Sequence, residues 1–411
     1  MKKILGLTLG IMTALGGFVD LGQIVFTMQA GALFSYRLLW VIVVGTLAII
    51  IYMEMCGRVA VVAKEPVFTT VRTKLGNGLG LTTLIASNLL NLITCAAELG
   101  GIGIILHLIT GWDERLCLVA AAMLLGLAVA LLKFEWIERT FGLSGLLMIV
   151  FAVGAWKLQP NWEEVMRGLL PGVLAYNKHD LLLYAYFAVG IFSAMLMEYE
   201  VHFYSSGAIE EGWTTNDLGE NVAVAGIGSS LGSILTCALV AVAAIVFLPR
   251  GIFPEAISTA PLPIASIYGA RVIFLALLGC LACIGGAAVE TALSGAYNVC
   301  QFYNLTWGKN LKLKKAPAFT AIWMAMLVVA ALIAITGIKP LTLVNFSIVF
   351  GMVIMPFTYY PILITAGDRT IMGNHANGRM YNVVGWLFLA LITIASIAAI
   401  PLMVLTRAGK P

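Results

Sequence analysis

Gly16-Gly17-Phe18-Val19-Asp20-Leu21-Gly22-Gln23 lies in the middle of an apolar stretch that runs from Ile4 to Phe34. About 20 apolar residues suffice to cross a bilayer, so the stretch is long enough to do so. A carboxylate at that depth is expensive, roughly 2.5–3.5 kcal/mol on insertion scales, and normally faces a partner or a cavity. Glycines flanking Asp20 weaken the helix at the same point. Backbone freed from helical hydrogen bonds is tolerated at membrane depth only inside protein or against a water-filled cavity. We read a helix split in two, whose carboxylate and freed carbonyls can hold a cation. The alternative is a kinked helix with Asp20 bonded to a neighbour.

The remainder of the chain has membrane composition. Of its 411 residues, 61% are hydrophobic and 11% charged, with a mean hydropathy of +0.99. Soluble proteins carry about 25% charged residues. An all-α polytopic membrane protein is expected, because a β-barrel would alternate in segments of about 10 residues. The lipid bilayer is thus its first partner, and a net charge of +4 gives no sign of nucleic acid as another. Lys2-Lys3 and the apolar run behind them have the look of a signal peptide. No small-residue cleavage site leads to a soluble mature chain, so the run is taken as the first span. The seven cysteines lie mostly in apolar runs, without the pattern of a secreted disulfide framework. Cys280 and Cys283 read as packing residues rather than a redox or metal pair.

Eleven spans are expected, near 4–33, 36–60, 79–108, 114–133, 137–156, 181–206, 218–248, 264–303, 316–337, 340–366 and 378–406. The eighth is too long for one crossing; it extends beyond the membrane or begins as a separate short helix. Fourteen of the 24 Lys and Arg fall in the connections on the N-terminal side, with Lys309 to Lys315 prominent. That bias puts the N-terminus in the cytoplasm and, after eleven crossings, the C-terminus outside. No soluble domain interrupts this single transporter domain.

The sixth span reads Gly190-Ile191-Phe192-Ser193-Ala194-Met195-Leu196-Met197-Glu198-Tyr199-Glu200-Val201-His202. Acidic residues again stand inside an apolar run. The two anomalous segments open two possible halves, 1–156 with spans 1–5 and 181–366 with spans 6–10, leaving 378–406 as an extra span. Five crossings per half make the repeats inverted, and paired broken helices mark a transporter site. Glu98 and Glu290 also lie deep, where each either lines a vestibule or pairs within the bundle. Glu54 and Glu220 fall near span ends, close to water. His202 is expected to be a satisfied packing histidine, and Met195 and Met197 core fillers by default.

Several of these residues carry a family resemblance. Asp20-Leu21-Gly22-Gln23, then Gln29-Ala30-Gly31-Ala32, resembles the first span of the Nramp family of divalent metal transporters, which has Asp-Pro-Gly-Asn followed by Gln-Ala-Gly. Ala194, Met197, Glu198 and Tyr199 align without gaps on that family's Ala-x-x-Met-Pro-His. Asp368-Arg369 with Ile371-Met372-Gly373 resembles its Asp-Arg-x-x-Met-Gly. The resemblance implies a LeuT-like fold of two inverted five-helix repeats, with helices 1 and 6 broken, plus an eleventh helix. It implies a metal ion held by Asp20, Gln23, the Ala194 carbonyl and the Met197 sulfur, with Glu198, Glu200 and Glu98 as further oxygen candidates.

The departures bear on mechanism. Leu21 replaces proline and Gln23 replaces asparagine. Tyr199 and Tyr204 stand where the family has histidines. Of its acidic third-span pair only Glu98 is kept, with Cys95 at the aspartate position. Its tenth-span glutamines are apolar here, near Ile348 and Ile354. Tyrosine and cysteine do not relay protons near pH 7 as His or Asp can. The pattern is similar to the Nramp-related magnesium transporter branch. Oxygen donors suit Mg²⁺, whereas a thioether favours softer metals such as Mn²⁺.

The expected function is alternating-access transport of Mg²⁺ and Mn²⁺, not coupled to protons, by a plasma-membrane protein working as a monomer without a cofactor. One alternative is a proton-coupled Mn²⁺ or Fe²⁺ importer, with Glu98 and Glu54 carrying the proton. Another is a non-transporting Nramp-like sensor, of the type known from plant ethylene signalling, which carries a large soluble C-terminal region. This chain ends at Pro411, just after its last span. An enzyme is not expected, since no HExxH, Gly-x-Ser-x-Gly or P-loop spacing occurs.

Overall fold

The computed structural model describes residues 19–172 and 178–410. Gly16, Gly17 and the apolar run before them lie outside the described residues. Of the first expected span, only the half that follows Asp20 is therefore seen, as α1 (Leu21–Phe34). Among the described residues there is no β-strand, and ten further helices or helix pairs are long and apolar enough to cross a membrane. The chain is an all-α integral membrane protein.

The spans follow the expected order. α2 is Leu39–Ala63, α3 is Val67–Thr110 and α4 is Glu114–Leu131. α3 starts earlier than its apolar run suggests, but Gly76 breaks it with φ 71°, so the crossing proper begins beyond that corner. The fifth span is α5 (Phe134–Gly145) and α6 (Ile149–Lys157), joined by a 3-10 turn. A short α7 (Trp162–Gly168) precedes the sixth span, which is two helices, α8 (Lys178–Ala194) and α9 (Glu198–Glu210). α10 is Leu218–Val246. The overlong eighth segment divides: α11 (Leu262–Tyr268) stops at Gly269, φ 79°, and α12 (Ile273–Phe302) makes the crossing. α13 (Pro317–Ile335), α14 (Pro340–Gly367), the single turn α15 (Arg369–Met372) and α16 (Arg379–Leu405) complete the chain.

Burial separates centre from periphery. α1 and α9 are buried along almost their whole length, polar residues included. α4 and α16 instead present Leu124, Leu131, Leu387 and Ile397 outward. An apolar helix with an outward apolar face suits lipid contact. Close approach inside the bundle relies on small residues, as is usual between membrane helices. A Cβ on Gly31 of α1 would stand 2.4 Å from the Val240 carbonyl of α10.

Polar contacts gather alternate connections at opposite ends. At one end, Arg58 pairs with Glu54 at 2.7 Å and donates to Asn377 at 2.6 Å. There too, Arg72 donates to the Phe302 carbonyl at 2.6 Å, and Asn310 accepts from the Phe134 N–H at 3.1 Å. At the other end, the Tyr184 hydroxyl donates to the Arg37 carbonyl at 3.1 Å and Gln29 donates to the Pro254 carbonyl at 2.7 Å. This alternation is what repeated crossings require. Glu54, expected near water, is nearly buried and is satisfied by Arg58 and the Tyr381 hydroxyl. Cys280 and Cys283 are free and buried, with the Cys280 thiol 3.8 Å from the Met148 sulfur.

Candidate metal site

Asp20 is the N-cap of α1. Its Oδ1 accepts from the Gln23 N–H at 2.6 Å, satisfying one of the donors that a helix start leaves open. The next donor, the Leu21 N–H, goes to the carboxylate of Glu98 on α3, at 3.2 and 3.3 Å. The positive end of a helix dipole favours both carboxylates there. Of the two roles expected for Glu98, the bond shows the pairing within the bundle, and it fixes the start of the half-helix that carries Asp20.

The second break lies opposite. α8 ends at Ala194, α9 begins at Glu198, and Met195, Leu196 and Met197 between them are not helical. Among the described residues no backbone donor reaches the Ala194 carbonyl oxygen. The Tyr199 hydroxyl, one residue into α9, donates to Asp20 Oδ2 at 3.1 Å, so the start of α1 and the break between α8 and α9 meet through this bond. Ser294 of α12 anchors that turn by donating to the Tyr199 carbonyl at 2.8 Å.

Gln23 brings an amide to the same place. Its Nε2 donates to Thr236 Oγ1 at 2.9 Å and to the Met195 sulfur at 3.0 Å, while its buried Oε1 has no partner among the described residues. The thioether seen against Gln23 is therefore that of Met195, a residue read from sequence as a filler. Gly45 of α2 makes room for it, since a Cβ there would lie 2.6 Å from the Met195 Cβ. Met197 is buried at the break as the N-cap of α9.

The acidic candidates divide into two groups. Asp20, Glu98, Glu200 and Glu290 all lie within electrostatic reach of Tyr199. Glu200 and Glu290 are fully buried and have no hydrogen-bond partner among the described residues. Glu198 faces another way, accepting from Ser87 of α3 at 3.1 Å. His202 packs edge-on against Phe68, but neither ring nitrogen has a partner among the described residues, so it is packed without being satisfied. Among the described residues no three His, Cys, Asp or Glu side chains close around one point in the manner of metal ligands. At the start of α1 the Asp20 carboxylate meets the Tyr199 hydroxyl, the Glu98 carboxylate meets the adjoining Leu21 N–H, and the Gln23 amide one turn on meets the Met195 thioether.

The match of residues 10–401 to the family described as natural resistance-associated macrophage protein-like, Nramp, covers both breaks and every helix between them. The chain belongs to the Nramp family. It is similar to the divalent metal cation transporter MntH of Levilactobacillus brevis, 23% identical over 93% of this chain and 85% of the relative. The MntH of Ralstonia nicotianae is 25% identical over 93% and 87%. Among solved structures, the manganese transporter of Eremococcus coleocola superposes with a TM-score of 0.74 at 20% identity, covering 96% of this chain and 86% of that one. MhsT in complex with L-phenylalanine superposes with a TM-score of 0.61 at 15% identity, over 99% and 98%. At such identities the likeness carries the fold, and the fold is the LeuT-like one of two inverted five-helix repeats. The MntH relatives and the Eremococcus coleocola protein are named as transporters, in line with the expectation that the Nramp chain is not an enzyme.

Proposed function

We propose that this Nramp protein moves divalent metal ions, Mg²⁺ and Mn²⁺, across the membrane by alternating access and without a coupled proton. The observation that carries the reading is the bond between Asp20 at the start of α1 and Tyr199 beside the break between α8 and α9, next to the Gln23 Oε1, which has no partner among the described residues. Asp20, Gln23 and the Ala194 carbonyl supply oxygen, which both ions accept. Met197 at the family position, or Met195 beside Gln23, supplies the thioether that favours Mn²⁺. The MntH relatives and the manganese transporter with the same fold support metal transport as the class. The test is uptake by the full chain in proteoliposomes. Mg²⁺ and Mn²⁺ should both saturate and compete with each other, and uptake of Mn²⁺ unaffected by excess Mg²⁺ would reject Mg²⁺ as a substrate.

Tyr199 gives a further handle. Its hydroxyl occupies Asp20 Oδ2, which an arriving ion also needs. A hydrogen bond to a charged group contributes roughly 1.5–3 kcal/mol. Tyr199→Phe is therefore expected to lower the KM for Mn²⁺ by about tenfold, as each 1.4 kcal/mol is a factor of ten. A raised KM in this variant would show that the hydroxyl orients Asp20 for the ion instead of competing with it.

A further inference from the structure

Far from the metal site, α4 and α13 leave a groove on the lipid-facing surface. The two helices touch where a Cβ on Gly126 would meet Leu327 at 3.8 Å. Outside that contact lies a volume of about 520 Å³. Met123 and Leu127 form one wall, Met324 and Val328 the other, and all four are exposed. No charged residue lines the groove. From Trp323 to Ile335 it follows twelve residues of α13, about 18 Å at a rise of 1.5 Å per residue. That is close to half of the roughly 30 Å of hydrocarbon in a bilayer, the depth of one leaflet.

The end of the groove at Ala130 and Trp323 meets a basic rim. Three bonds seat the loop that joins α12 to α13 against the corner between α4 and α5. Lys309 Nζ donates to the Leu132 carbonyl at 2.6 Å, Asn310 accepts from the Phe134 N–H at 3.1 Å, and the Thr320 hydroxyl donates to the Leu313 carbonyl at 3.3 Å. Lys312, Lys314 and Lys315 are thereby gathered on the side of Lys133, and all four are exposed. None of them forms an ion pair among the described residues. The sequence has no Asp or Glu from Leu116 to Lys133 or from Tyr303 to Ile335. Acids nearby are engaged and face elsewhere: Glu135 pairs with Arg139 at 2.8 Å, Glu210 accepts from the Tyr297 hydroxyl at 3.1 Å, and both line a cavity at the end of α9. α13 starts without a side-chain cap, so the positive end of its dipole adds to the lysines. Leu311 and Leu313 alternate with the lysines and are exposed, as is Trp136, which carries the Arg139 guanidinium over its ring. Apolar and aromatic side chains interleaved with basic ones suit the boundary between headgroups and hydrocarbon.

Either feature alone has an ordinary explanation. Exposed lysines are solvated, and an apolar groove in a membrane takes any acyl chain. Their junction selects a molecule that is apolar over one leaflet and negative at its head. We propose that an anionic phospholipid binds here, with an acyl chain between α4 and α13 and its phosphate among Lys133, Lys312, Lys314 and Lys315. A zwitterionic lipid brings its own ammonium to the lysines and gains less. Such a lipid clamps the loop after α12 to the corner between α4 and α5.

The experiment titrates the delipidated full chain in detergent and reads the first lipid bound by native mass spectrometry. A lysine near an anionic surface gives about a fivefold gain, so two that engage the headgroup already exceed tenfold. Phosphatidylglycerol should therefore bind at least about tenfold more tightly than phosphatidylcholine with the same chains. The variant Lys133→Gln/Lys312→Gln/Lys314→Gln/Lys315→Gln should lose that preference and keep its affinity for phosphatidylcholine. Ala331→Phe, which fills the groove, should weaken both lipids. All five positions are exposed or face the groove, so the melting temperature should stay near wild type. Equal binding of the two lipids by wild type, or a preference that survives in the lysine variant, would overturn the headgroup site. Unchanged binding in Ala331→Phe would overturn the groove. Inorganic phosphate at constant ionic strength should leave phosphatidylglycerol bound, and displacement by it would assign the lysines to a free anion and reject the lipid.

Discussion

Asp20→Ala is expected to abolish saturable metal uptake while the protein remains folded. Two roles meet in this side chain and must be separated. As the N-cap of α1 it holds the Gln23 N–H, and losing such a cap costs about 1 kcal/mol. As a nearly fully buried carboxylate it is itself costly to keep, so its removal offsets part of that loss. The bundle is tied together elsewhere, by Glu98 on the Leu21 N–H and by Ser294 on the Tyr199 carbonyl, and neither bond involves Asp20. Transport has no such reserve. The other ligands expected with Asp20, the Gln23 amide, the Ala194 carbonyl and a thioether, are neutral, and a divalent ion leaving water needs a full charge. The rate at low ion concentration should fall at least about 100-fold, equivalent to about 2.7 kcal/mol. Asp20→Asn distinguishes the two roles, since asparagine caps a helix as well as aspartate does but carries no charge. Uptake should be lost in Asp20→Asn with the melting temperature near wild type. Wild-type uptake in folded Asp20→Asn would remove Asp20 from the site.

Much of this architecture was legible because membrane physics leaves few choices. Apolar runs of span length, interrupted by Asp20 and by Glu198 to Glu200, located the start of α1 at Asp20 and the place where α8 and α9 part, between Ala194 and Glu198. The overlong eighth run signalled a separate short helix, found as α11. Side-chain direction was not legible. Periodicity cannot tell which methionine of a non-helical turn points inward, and Met195, not Met197, has its sulfur against Gln23. Nor does sequence separation reveal long-range capping: Glu98 lies 77 residues from the N–H it receives.

Metal uptake is expected to proceed without internal acidification. Coupling needs a group that changes protonation during the cycle and a route that delivers the proton. The family's aspartate position is Cys95, whose thiol lies 3.6 Å from the Ala288 carbonyl, and thiols do not serve as carboxylates do near neutral pH. The two histidine positions are Tyr199, donating to Asp20, and Tyr204, donating to Asn221 Oδ1 at 2.9 Å. Both hydroxyls act as donors in fixed bonds, and a phenol titrates far above physiological pH. Glu98 is the remaining carboxyl from the family's set, and it is engaged with the Leu21 N–H at the start of α1. Moving it through a proton cycle would release the cap on the half-helix that carries Asp20. A proton is not needed energetically. A membrane potential contributes about 2.3 kcal/mol per elementary charge per 100 mV, hence roughly 4.6 kcal/mol for a divalent ion, enough for more than a thousandfold accumulation. The measurement is internal pH in proteoliposomes held at fixed voltage during Mn²⁺ influx, for wild type and Glu98→Gln. Glutamine keeps an acceptor for Leu21, so Glu98→Gln should still take up Mn²⁺, and neither protein should acidify the lumen. Acidification that tracks wild-type influx and disappears in Glu98→Gln would show proton coupling through Glu98, and the proton-coupled importer would replace the uncoupled one.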